Sequence, residues 1–148
     1  MEKEYFYSTE VEWTKERQGD LRAPILPDLH VDAPPEFKGH DGAWTPEHLF
    51  VGAVNSCFMT TFLAIAENSK LDFLGFKTAA NGKLENLPGQ GFQMTQITLR
   101  PQLVVANARD LERATRILEK AERHCLISNS IKTVVHLEPD VQVAVAPL

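Results

Sequence analysis

The stretch Thr45–Lys70, TPEHLFVGAVNSCFMTTFLAIAENSK, decides how the rest of the chain is arranged. Thr45 has a hydroxyl that can accept from the free N–H groups of a helix start, and Pro46 suits the first helical position, where no N–H is needed. Glu47 follows in the first turn, where the helix dipole favours a negative charge. From Leu49 to Ala66 nearly every residue is apolar or small. A surface helix would show a polar stripe of period 3.6, and its absence predicts a helix covered on all sides. Asn55, Ser56, Thr60 and Thr61 interrupt the apolar run, which is short for a bilayer span. The stretch therefore reads as a central core helix and not as a membrane helix. Cys57, one of two cysteines, lies in its middle.

On the N-terminal side, Tyr5 to Trp13 alternates aromatic and β-branched residues with polar ones and reads as a strand. Lys15 to Asp20 is a charged turn with a glycine, and Leu21 to Ala33 holds short strands broken by Pro24 and Pro27, with Leu29-His30-Val31 the better one. Ala33 to Trp44, dense in Pro and Gly, is the loop that leads into Thr45. On the C-terminal side, Phe73 to Glu85 alternates as a strand, Leu87-Pro88-Gly89-Gln90-Gly91 is a hairpin turn, and Phe92 to Val105 is a long strand whose Pro101 suggests an edge or a bulge. Asn107 to Arg123 is amphipathic, with Leu111, Ala114, Ile117, Leu118 and Ala121 on one helical face. Thr133 to Leu137 and Val141 to Ala146 close the chain as two strands around Glu138-Pro139-Asp140. The hairpins imply antiparallel pairing, so the fold class is α+β, in a single domain over 1–148.

The 148 residues suffice for one well-formed core. Fifteen Lys and Arg against twenty Asp and Glu leave a net charge of −5 with no basic block, which argues against nucleic acid as the main partner. The charged start Met1-Glu2-Lys3-Glu4 is not followed by the apolar segment of a secretory signal. Two cysteines without such a signal read as thiols in a reducing compartment, and the expected location is the cytoplasm, away from membranes.

Taken singly, the candidate residues say little. A cysteine in an apolar helix is most simply a small buried hydrophobe. Cys125 has a more polar setting, Arg123-His124-Cys125-Leu126-Ile127-Ser128-Asn129-Ser130, in which the thiolate is favoured by cationic or titratable neighbours. Glu47 is a first-turn carboxylate, and Arg17 and Arg22 are loop charges. His40, His48 and His124 lack a zinc-ligand spacing with the cysteines. No phosphate-binding glycine motif and no nucleophile-elbow pattern occurs.

Together, Thr45-Pro46-Glu47-His48-Leu49-Phe50, Ser56-Cys57-Phe58 and Cys125-Leu126-Ile127-Ser128-Asn129 resemble the OsmC/Ohr family of thiol peroxidases. That family has a Pro-Glu helix start, a Cys-Phe further along the same helix and a second Cys after the second helix. Cys57 stands ten positions after Glu47, and Cys125 stands 68 after Cys57, in keeping with the family. The chain departs from it at Leu126, where proline is common, and in the loop Pro34-Pro35-Glu36-Phe37 with Ala43-Trp44.

The resemblance implies an OsmC-like fold: an intertwined homodimer with antiparallel sheets around long central helices. It also implies reduction of organic hydroperoxides. Cys57 would be the peroxidatic thiol and Cys125 the resolving one. Glu47 and Arg17, in the Arg17-Gln18-Gly19 turn, would activate Cys57, with Arg22 as the second choice of arginine. No cofactor would be bound, and an external thiol reductant, lipoyl groups in one branch, would close the cycle. A buried thiol has a raised pKa, which a guanidinium held by a carboxylate would counter. An apolar surround of Phe50, Phe58 and Phe62 would favour organic peroxides. The competing reading is a non-enzymatic small-ligand-binding or structural member of the same fold, with two idle thiols.

Overall fold

The computed structural model describes residues 2–145; Ala146, the last residue of the expected closing strand, and Met1 lie outside them. The chain forms two compact units, Met1–Phe50 and Val51–Leu148.

The first unit is built on a three-stranded antiparallel sheet of β1 (Glu10–Lys15), β2 (Gln18–Arg22) and β3 (Leu29–Val31) in sequence order. The first strand starts later than the alternation predicted, and the turn is tighter. Gly19 is not a turn residue; it pairs with Trp13 inside the ladder, and the reversal is made by Glu16 and Arg17. Every residue of β1 is exposed. A loop with one 3-10 turn at Pro35–Phe37 returns to the sheet, where Trp44 bridges to Val31 and the Trp44 carbonyl accepts from the Asp32 N–H at 3.0 Å.

Helix α1 runs Pro46–Asn68. Thr45 caps it as expected: its hydroxyl accepts from the His48 N–H at 3.1 Å, and its carbonyl takes the Leu49 N–H at 2.9 Å. At the other end Lys70 adopts a left-handed φ of 52°, its N–H bonds the Glu67 carbonyl, and the Leu71 N–H reaches back to Ala66. That is a Schellman cap, with Leu71 buried behind it.

The second unit continues with β4 (Phe73–Leu87), β5 (Gly91–Val105), α2 (Leu111–Arg123), β6 (Val134–Leu137) and β7 (Asp140–Val143). The β4–β5 hairpin turns at Pro88-Gly89, with φ 71° at Gly89, the position that demands it in a type II turn. Ile97, Leu99, Leu103 and Val105 of β5 point into the core with Val54, Phe58, Phe62 and Ala66 of α1 and Ala114, Ile117, Leu118 and Ala121 of α2. Phe62 stacks on Phe76 of β4 at 4.6 Å between centroids and meets Phe73 edge-on at 5.4 Å. Asn55 ties the same helix to the sheet by exchanging two 3.0 Å hydrogen bonds with Thr78.

Two expectations change here. First, β6 and β7 do not pair with each other or antiparallel to their neighbour. Both run parallel to β5, at 96–99 and 102–105 respectively. The α2 crossover brings the chain back to the start of the same edge, as parallel pairing requires. Pro101 is thus neither on an edge strand nor in a bulge; it is buried in a central strand, in the gap between those two registers where no ladder N–H is needed. Second, α1 does not bury every face within its own chain. Val54, Phe58, Phe62 and Ala66, four residues apart in a single line, are its buried positions, while Met59 and Leu63 on another face are 37% and 39% exposed. Phe58 and Phe62 are core residues that no peroxide can touch, so they do not supply the apolar surround expected of them.

Candidate active site

The second unit brings the two cysteines together. Cys57 sits between the core positions Val54 and Phe58 of α1 and is partly accessible, whereas Cys125, just past the end of α2, is fully buried. Helix α2 stops there because the chain doubles back. The Cys125 N–H takes the Glu122 carbonyl at 3.2 Å, and the Cys125 carbonyl accepts from Asn129 at 3.0 Å, starting a 3-10 turn at Ser128–Ser130. This fold-back aims the Cys125 sulfur at the Val54 carbonyl, 4.0 Å away on the turn of α1 that precedes Cys57. The Cys57 sulfur lies 3.9 Å from the Thr61 hydroxyl, one helical turn further on. Both thiols are free.

Their environments drive them apart electrostatically. Burial pushes the Cys57 thiol up, but the Ile127 N–H, the Cys125 thiol, the Thr61 hydroxyl and the Leu126 N–H all favour its anion, and the net shift is downward. Burial pushes Cys125 up as well. The Ser128 hydroxyl and N–H oppose this, the nearby Cys57 adds to it, and the net shift is upward. Of the two thiols, Cys57 is the more readily ionised and Cys125 the less.

The donors on Cys57 explain what the departure at Leu126 does. A proline at that position would have no N–H to offer; leucine keeps the 126 amide, which with the 127 amide favours the Cys57 anion. Replacing Leu126 by Pro is expected to slow iodoacetamide alkylation of Cys57 at neutral pH by about three- to tenfold, the weight of one partly solvated hydrogen bond to an anion, and to move the alkylation midpoint to higher pH. Leu126→Ala keeps the amide and should leave the profile where it was. Equal profiles for the proline and alanine variants would remove the amide from the account. The Leu126 side chain itself is 65% exposed.

Arg17, Arg22 and Glu47 belong to the first unit. Arg22 is engaged by three carboxylates, Glu12 and Asp28 at 3.1 Å and Asp20 at 3.6 Å, and the hydrogen bonds it donates to Glu12 and Asp28 raise its pKa further. Arg17 is exposed at the tip of the β1–β2 turn and has no ion pair or hydrogen bond among the described residues. Of the two arginines, Arg17 is the one available to another group. Glu47, in the first turn of α1, has one carboxylate oxygen, Oε1, that is buried without a hydrogen-bond partner among the described residues. A desolvated carboxylate oxygen left this way is costly, and a guanidinium is the group that would satisfy it.

The fold and the thiols define an α+β protein in which Cys125, past the end of α2, meets the turn of α1 that precedes Cys57. A family model described as OsmC-like protein matches residues 39–140, more than half of the chain, and the chain belongs to that family. It is 28% identical to the uncharacterized protein YmaD of Bacillus subtilis over 116 residues, 76% of this chain and 77% of YmaD. Among solved structures it matches an OsmC-like protein of unknown function from Vibrio cholerae with a TM-score of 0.83 at 24% identity, over 92% of this chain and 99% of that one. An organic hydroperoxide resistance protein, OsmC, from Legionella pneumophila matches with a TM-score of 0.75 at 25% identity, over 95% and 100% of the two chains. One from Elizabethkingia anophelis, with thiocyanate bound, gives 0.77 at 20% identity over 97% and 100%.

Proposed function

We propose that this protein is a cytoplasmic thiol-dependent peroxidase that reduces organic hydroperoxides. The observation that carries the reading is the convergence of the two free thiols: the Cys125 sulfur lies 4.0 Å from the Val54 carbonyl, on the turn of α1 that precedes Cys57, in a chain of the OsmC-like family. The amides and hydroxyl around Cys57 favour its anion, in keeping with a nucleophilic role. The names of the Legionella and Elizabethkingia proteins, both organic hydroperoxide resistance proteins, support the substrate class.

The chemistry follows from the pair. The Cys57 thiolate attacks the outer oxygen of ROOH; the S–O bond forms as the O–O bond breaks, and the alkoxide leaves as ROH after taking up a proton. Sulfur loses two electrons and the peroxide gains them, leaving a sulfenic acid on Cys57. Arg17 and Glu47 act as the pair that holds the peroxide oxygens and favours the thiolate, Glu47 orienting the guanidinium. The Cys125 thiol then attacks the Cys57 sulfur, water leaves, and a Cys57–Cys125 disulfide remains. An external dithiol, of which a lipoyl group is the fitting kind, returns both to thiols by exchange. No resident cofactor is required. The exposed side chain of Leu126, whose amide favours the Cys57 anion, and not the buried Phe58 and Phe62, is the apolar group we expect an alkyl chain of the peroxide to meet.

Titration with sub-stoichiometric cumene hydroperoxide tests this. Two free thiols should disappear for each peroxide added, in an intramolecular disulfide, and hydrogen peroxide should act more slowly. A thiol count that stays at two per chain would overturn the reading.

A further inference from the structure

We infer that His40 is a positioning residue for Arg17: by bridging Asp32 and Glu16 it holds the β1–β2 turn that presents the arginine. The inference rests on the reading that Arg17 serves the peroxide reaction.

The anchor is Asp32. Its side chain is 1% exposed, and its carboxylate accepts from the Ala33 N–H at 2.7 Å, the His40 N–H at 3.0 Å and His40 Nδ1 at 3.1 Å. Burial alone would raise its pKa, but the His40 ring and these amides outweigh that and hold it below the usual carboxylate range. The loop reaching His40 has no slack. A Cβ on Gly39 would lie 1.6 Å from the Ala33 carbonyl oxygen, so only glycine lets the chain pass there. The start of the His40 side chain is therefore fixed by backbone on one side and a buried anion on the other.

The ring's far nitrogen, Nε2, reaches Glu16 Oε2 at 3.1 Å. Glu16 is the turn residue directly before Arg17 and has a left-handed φ of 50°, an uncommon conformation for a side-chain-bearing residue, one that surrounding contacts must hold. Two contacts do so: the His40 ring on its carboxylate, and the Trp13 indole N–H, which donates to its carbonyl at 3.0 Å. On the other side of Arg17, the Gln18 amide lies between the two histidines, with its Nε2 3.5 Å from His40 Nδ1 and its Oε1 3.0 Å from His30 Nε2, while His30 Nδ1 meets Asp20 Oδ1 at 3.2 Å. Among the described residues Arg17 itself makes no such contact. Its position is set entirely by neighbours that are held.

The groups facing the His40 ring are Asp32, Glu16 and Gln18. Only an imidazolium has a proton on both nitrogens to give to two carboxylates. When His40 loses one, the buried Asp32, also held by the His40 amide, keeps its share, and Glu16 at the turn is the partner released. The turn is ordered while His40 is charged and loosens when it is not.

Two measurements on the reduced full-length protein separate the clamp from the role of Arg17. The first is a proton–nitrogen NMR titration between about pH 5 and 8, where a histidine changes charge. The Glu16 and Arg17 amide signals should follow the His40 ring in the wild type and cease to follow it in Glu16→Gln. Amides that move independently of the ring overturn the inference. The second is cumene hydroperoxide kinetics. Arg17→Ala should lower kcat/KM by about tenfold or more, and His40→Gln by about three- to tenfold, the scale of a misplaced group and not of a missing one. His40→Gln should also remove the part of the pH–rate profile that follows the ring. Glu16→Gln should give the same loss, which guards against a folding defect particular to position 40. An Arg17→Ala protein as fast as wild type refutes the catalytic reading while the amide titration still decides on the clamp. A slow Arg17→Ala with unimpaired His40→Gln and Glu16→Gln refutes the inference alone.

Discussion

Cys57→Ser is expected to abolish peroxide consumption, by on the order of a thousandfold or more, as loss of a nucleophile does. In the proposed reaction the thiolate does the chemistry, and a serine hydroxyl in the same place has no comparable acidity. The Cys125→Ser protein should behave differently. Its Cys57 remains ionisable, so it should consume about one peroxide per chain and then stall, with one added oxygen on Cys57 by mass spectrometry. The pH dependence gives the sign independently. Because Cys57 is held below the ordinary thiol value and Cys125 above it, alkylation at slightly acidic pH should label Cys57 almost exclusively, with Cys125 joining only as pH rises. Labelling of both at the same pH, or turnover by the Cys57→Ser protein, would reassign the nucleophile.

How much of this was legible in the chain alone differs from element to element. The capped start at Thr45-Pro46, the β4–β5 hairpin and the apolar line of α2 were readable because each is a local signal: a hydroxyl at a helix start, Pro-Gly between alternating runs, a period of 3.6. The parallel pairing of β6 and β7 with β5 was not, because direction is set by the α2 crossover and nothing inside a four-residue strand records it. Nor does a composition that is apolar on every face of α1 say which faces its own chain covers. The thiol pair was legible only as a family pattern, 68 positions apart. What tunes it was hidden, since the Leu126 and Ile127 amides have no letter of their own. The Thr61 hydroxyl was the exception; four residues after Cys57 in a helix places it on the same face. His40, by contrast, gave no signal, because Asp32 and Glu16 lie on opposite sides of a loop whose path depends on Gly39.

Mixing Glu47→Ala chains with Cys57→Ser chains is expected to produce activity where each parent has none. The reason is in α1. Glu47 and Cys57 are ten positions apart on one helix, about 15 Å along its axis at 1.5 Å per residue, and ten steps of about 100° turn them to different faces. On that helix geometry Glu47 would be out of reach of its own Cys57, and an antiparallel copy of the helix would bring the carboxylate of a second subunit across. Three observations support the expectation of such a copy. The α1 face bearing Met59 and Leu63 is exposed although apolar, every residue of β1 is exposed with Trp13 at 73%, and Glu47 Oε1 is buried with no partner among the described residues. Surface of this kind is what a second subunit covers. Gly52, Ala53, Asn55 and Ser56 are small enough for two such helices to approach closely. Sedimentation equilibrium at micromolar concentration should give twice the 16.6 kDa of one chain, and a mass of one chain would refute the dimer. In the mixed dimer one site combines Cys57 of the Glu47→Ala chain with Glu47 of the Cys57→Ser chain and is intact; the other has neither. With random exchange, half of the dimers are mixed and each has one of two sites, so activity should approach a quarter of wild type. A mixture as inactive as its parents, with exchange confirmed by mass spectrometry, would place both residues in the same subunit's site.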